Sequence, residues 1–103
     1  EELNLLQTKT TDAGLVFLEG MTRLKWLKLD KCKVSASGTP HLSGLTSLEY
    51  LHIGSTQVDD AALEPLGDLK NLKTLVITFL PDVTDDGVNK LKARLPGLTE
   101  ILR

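Results

Sequence analysis

Few side chains in this chain are of types that do chemistry, and their positions decide how each is read. There is one cysteine, Cys32, and there are two histidines, His41 and His52. A thiol becomes a nucleophile beside a histidine, a cation or a helix N-terminus that lowers its pKa. Cys32 has no histidine or basic helix near it in sequence, and equivalent positions hold Thr8, Thr56 and Leu80. A small buried side chain closing the turn after a strand is the plainer reading. The acidic pairs Asp59-Asp60 and Asp85-Asp86 have the composition of a metal or acid–base site. They recur in register with Thr11-Asp12 and Ser35-Ala36. That tolerance of hydroxyl and alanine suits helix starts and not chemistry. A calcium loop would need a D-x-D-x-D-G run with a distant glutamate, which the sequence lacks. His41 and His52 fall in different expected elements, so a shared metal or a triad is not expected. No P-loop, G-x-S-x-G or H-E-x-x-H motif occurs. The sequence therefore reads as a non-enzyme with no catalytic residue, cofactor or metal site.

Composition bounds the remaining choices. A length of 103 residues gives room for one domain, spanning 1–103. Twelve basic and 14 acidic residues give a net charge of −2, without the basic excess of a nucleic-acid footprint. No apolar run approaches the roughly 18 residues of a membrane span, and no signal-peptide pattern is present. The start "EELN" carries no methionine, which is compatible with a piece of a longer protein. A single cysteine cannot form an internal disulfide. It is compatible with a cytoplasmic location and leaves the compartment open.

The elements that position these residues come from a repeat. Leu3, Leu27, Leu51 and Leu75 fall at intervals of 24, as do Leu5, Leu29, Ile53 and Ile77. Leu24, Leu48 and Leu72 share the interval, as do Leu18, Leu42 and Leu66. After Leu80 the register slips, so that Leu98 and Ile101 take the places of Leu72 and Leu75. The copies are "LKWLKLDKCKV", "LEYLHIGSTQV" and "LKTLVITFLPDV", with an incomplete "LNLLQTKT" before them. This L-x-x-L-x-(L/I)-x-x-(T/C)-x-V unit resembles the leucine-rich repeat over essentially the whole chain. "TTDAGL", "VDDAAL" and "VTDDGV" resemble a segment of the cysteine-containing subclass, familiar from F-box substrate receptors and bacterial repeat proteins. The resemblance implies an α/β solenoid of about four repeats with a partial C-terminal cap in "LPGLTEILR". It also implies a horseshoe arc with a parallel sheet on the concave side and short helices or 3₁₀ turns on the convex side.

The physics stands beside the resemblance. In "KWLKL" the side chains alternate, so Leu27 and Leu29 point inward while Trp26, Lys28 and Asp30 point out. One strand cannot bury its own apolar face; stacked copies can. Each crossover begins at a good N-cap residue, Thr11, Ser35, Asp59 or Thr84. Asp12, Asp60 and Asp85 follow them, where a helix dipole favours negative charge. The fourth crossover should be the best helix, roughly Asp85 to Arg94, ended by Pro96 and Gly97. The second holds Gly38 and Pro40 and should be a 3₁₀ turn or loop.

The outward positions form rows across the sheet. Glu2, Trp26, Tyr50, Thr74 and Glu100 make one, and Asn4, Lys28, His52, Val76 and Leu102 the next. Leu6, Asp30, Gly54 and Thr78 make a third. The chain's one Trp and one Tyr thus become neighbours on a face that the core does not use. Such aromatics serve either as interface anchors or as a cross-strand pair that covers itself. The favoured reading is a protein–protein interaction module that takes a protein or peptide on the concave face. Its expected contact residues are Trp26, Lys28, Asp30, Tyr50, His52, Thr74 and Val76. The alternatives are a structural segment of a longer array that associates through open ends, or the substrate-receptor part of a ubiquitin-ligase-type assembly. Neither nucleic acid nor membrane is an expected partner.

Overall fold

The computed structural model describes residues 2–4 and 11–103, with only the backbone described for the first three. Five three-residue strands, β1 (Glu2–Asn4), β2 (Trp26–Lys28), β3 (Tyr50–His52), β4 (Thr74–Val76) and β5 (Glu100–Leu102), form one sheet in sequence order. All four pairings are parallel. Parallel neighbours need a crossover to return the chain to the same edge, and the segments between the strands provide it. Leu5, Leu6 and Thr8 of the expected pattern lie outside the described residues.

The crossovers follow their local chemistry. The last contains the longest helix, α2 (Asp85–Arg94), which is capped by Thr84 accepting from the Gly87 amide. The third holds α1 (Asp60–Leu63), where Asp59 accepts from the Ala62 amide at 3.0 Å, followed by a 3₁₀ segment at Glu64–Asp68. The second is a 3₁₀ turn, Thr39–Leu42, as Gly38 and Pro40 suggest. The first is also 3₁₀, Ala13–Leu18.

The core lies between the sheet and these crossovers. Leu27, Leu51 and Leu75 from the strands meet Leu15, Leu18, Leu42, Leu63, Leu66 and Leu91 from the crossovers in one buried cluster. Each leucine removed from water contributes about 1.5–3 kcal/mol, so this ladder is the main force holding the turns in register. Cys32 is buried in the same cluster, and its thiol donates to the Asp30 carbonyl at 3.7 Å. After each of three strands the chain passes through a left-handed residue, Lys31, Ser55 and Phe79, at φ of 62°, 53° and 56°. Among the described residues no helix is long and apolar enough to cross a membrane.

Two expectations about the helix starts need correction. The N-cap positions of the first two crossover helices fall on Asp12 and Gly38, neither of which gives a side-chain cap, and the Ser35 hydroxyl accepts from the Ser37 amide at 3.4 Å, ahead of the helix. The aspartates in the next column do more than sit in a helix dipole: they reach into the following repeat. Asp12 accepts from the Ser35 amide at 2.8 Å and from its hydroxyl at 2.5 Å. Asp60 accepts from Thr84 in the same way, at 2.8 and 2.5 Å. The reason is geometric. Gly38 and Gly87 leave the space that each carboxylate occupies, and a Cβ at either would collide with Asp12 or Asp60. At the middle junction Ala36 replaces the aspartate, Ala62 replaces the glycine, and Asp59 caps its own helix. The aspartate and the glycine are thus present together or absent together.

Candidate functional site

Alternation along β2, β3 and β4 sends one set of side chains into the core and the other to the outer face of the sheet. The pairing register places Glu2, Trp26, Tyr50, Thr74 and Glu100 in one row. Asn4, Lys28, His52, Val76 and Leu102 form the next. Both rows agree with the expected register. Trp26 and Tyr50 stack face to face, with ring centroids 4.9 Å apart and planes 6° from parallel. Both remain half-buried, with part of each ring open to solvent.

A charged cluster sits beside this plate. Lys28 Nζ donates to Asp30 Oδ1 at 2.8 Å. His52 Nε2 lies 3.8 Å from the other Asp30 oxygen. The Gly54 amide donates to His52 Nδ1 at 3.1 Å, so that nitrogen holds a lone pair and the proton sits on Nε2, facing Asp30. Burial holds the His52 pKa below its ordinary value; the Asp30 carboxylate opposes this and the Lys28 ammonium adds to it. The ring is therefore neutral at pH 7, and the Lys28–Asp30 pair carries no net charge.

Two expected contact residues are buried in the free chain. Asp30 is only 6% exposed because Lys28 and His52 close over it, so it orients its neighbours and offers no free carboxylate. Val76 is 5% exposed; its short side chain lies in the row between the longer His52 and Leu102. Trp26, Lys28, Tyr50, His52 and Thr74 keep partial exposure. Glu100 and Leu102, placed in these rows from sequence but not among the expected contact residues, are both exposed at the end of their rows. The Thr74 hydroxyl donates to Glu100 Oε1 at 3.3 Å.

His41 stands apart from this face, in the second crossover, with Nδ1 2.7 Å from Glu19 Oε2. The concavities on the crossover side are shallow. One, of about 240 Å³, lies between α1 and α2 and is lined by Asp60, Glu64, Lys90 and Arg94. Arg94 spans its rim by donating to the Glu64 carbonyl at 2.8 Å and pairing with Glu64 and Asp68. Among the described residues no three His, Cys, Asp or Glu side chains are grouped as metal ligands.

No protein-family model matches the chain, and no curated protein matches it. Among solved structures it is similar to an internalin from Listeria monocytogenes, with a TM-score of 0.53 and 20% identity. The match covers 97% of this chain and 33% of the internalin, so the chain spans about a third of that protein's length. At this identity the likeness concerns the fold: a leucine-rich-repeat-like α/β solenoid with a parallel sheet.

Proposed function

We propose that the chain is a protein–protein interaction module that holds a protein or peptide against the outer, concave face of its sheet. The observation that carries this reading is the Trp26–Tyr50 stack. The core does not need it, since the buried cluster is complete without either ring. Large, stiff aromatics left partly in water are the side chains that most often dominate binding energy. Around them, Lys28 and His52 offer donors held in place by Asp30, and Thr74 offers a hydroxyl. The module works by shape and hydrogen bonding and not by catalysis. A net charge of −2 makes nucleic acid a poor partner for it.

Pull-down with the immobilised chain tests this, comparing wild type with Trp26→Ala and Tyr50→Ala variants. Proteins held through this face should be lost from both, with affinity about tenfold weaker or more. Unchanged capture by both variants would remove the site.

A second reading is that the chain is a segment of a longer or self-associating array. Met21 is 45% exposed, whereas Leu45 and Leu69, one and two repeats on, are fully buried. The first crossover thus shows water a position that the interior repeats close. Light scattering over a concentration series decides: a monomer throughout argues against association through the ends.

A further inference from the structure

The row through the aromatic pair has a step in it, and the step has a shape and a charge. Trp26 covers one face of the Tyr50 ring. On its other side the row continues with the short Thr74 and then the long Glu100. Neighbouring strands are about 4.8 Å apart, so the backbones under Tyr50 and Glu100 are separated by about 10 Å. Above Thr74 this leaves a slot with a π face as one wall and a carboxylate as the other. The hydrogen bond from Thr74 to Glu100 Oε1 draws that carboxylate over the floor. Charge points the same way. Among the described side chains, the outward rows contain one lysine, Lys28, against the acids Asp30 and Glu100. Lys28 is already matched by Asp30. Glu100 is left exposed, hydrogen-bonded by the neutral Thr74.

We propose that this slot takes an arginine side chain of the protein partner, its guanidinium stacked on Tyr50 and paired with the Glu100 carboxylate. The inference rests on the concave-face reading and names the group that face recognises. A guanidinium is flat, weakly hydrated and permanently charged. It stacks on an aromatic ring and presents two parallel N–H groups to a carboxylate. One plane at stacking distance from Tyr50 leaves its donors directed at Glu100, a combination that neither an apolar side chain nor an acid can satisfy. Lys28 and His52, beside the slot, are held by Asp30 and do not compete for Glu100.

The test is a titration of the isotope-labelled chain with a blocked Gly-Arg-Gly peptide and, separately, its citrulline counterpart, followed by NMR. The arginine peptide should shift Tyr50, Thr74 and Glu100, and the citrulline peptide should bind about three- to fivefold more weakly. Glu100→Gln should abolish that difference. Tyr50→Leu, which keeps an apolar wall without the π face, should weaken the arginine peptide by a similar factor. Equal responses to both peptides on these rows would overturn the arginine slot and leave the concave-face reading standing. Shifts confined to other surfaces would overturn both.

Discussion

His52 shows how a single side chain ties the site to the fold. Its ring accepts from the Gly54 amide and faces Asp30, and both contacts suit the neutral, Nε2-protonated form. Burial lowers its pKa below 6.5. In the window between the folded and unfolded values the unfolded chain binds the extra proton, so stability rises with pH. The contribution is complete at neutral pH and is lost as pH falls below 6.5 toward the folded value. Melting temperature should therefore be lower at pH 5.5 than at pH 7.5. The difference should shrink in His52→Asn, whose side-chain carbonyl can still accept from Gly54. A pH dependence equal to wild type in that variant would show that the ring is not the titrating group. At this scale the sequence reading was half complete. Which residues face outward followed from period and alternation. That Asp30 and Val76 are nonetheless buried did not, because it depends on the heights of neighbours one repeat away.

Among the elements, the aspartate that reaches into the next repeat was the feature least legible beforehand. The columns are visible in the sequence, but an aspartate that follows an N-cap residue suits the dipole of its own helix. A carboxylate that caps its own helix and one that crosses to the next leave similar patterns. What distinguishes them is the glycine: Gly38 and Gly87 are needed only if something must sit against them. The Asp60 hydrogen bonds from Thr84 also hold its carboxyl below the usual carboxylate range. A double-mutant cycle tests the pairing. Asp60→Ala and Gly87→Ala should each lower the melting temperature. The double variant, which reproduces the Ala36 and Ala62 pairing of the middle junction, should lose less than the two singles together. Strict additivity would break the link. The helix at Asp85–Arg94 and the 3₁₀ turn at Thr39–Leu42 were legible, because caps, proline and glycine act locally.

At the scale of the whole molecule, the repeated leucines carry the architecture, and they were the clearest signal in the sequence. Leu51 is fully buried at the middle of the ladder, with strands on both sides. Leu51→Ala should cost about 2–5 kcal/mol of folding stability by denaturant titration; a loss under about 1 kcal/mol would show that the ladder tolerates a gap. The junctions between repeats are not fastened alike. The first and last of those described on the crossover side are joined by Asp12 to Ser35 and by Asp60 to Thr84. The middle one has no such carboxylate; it is tied by the Trp26–Tyr50 stack and the Asp30–His52 contact on the sheet, by the Gln57 amide donating to the Val34 carbonyl at 2.9 Å, and by Asn71 donating to the Thr46 carbonyl at 2.7 Å. That junction therefore depends on side chains of the outer sheet face more than its neighbours do. Those side chains, Trp26, Tyr50 and His52, are the same ones that would meet a partner. A ligand seated there would touch the side chains that tie the second repeat to the third, so its binding and the stability of that junction should be linked.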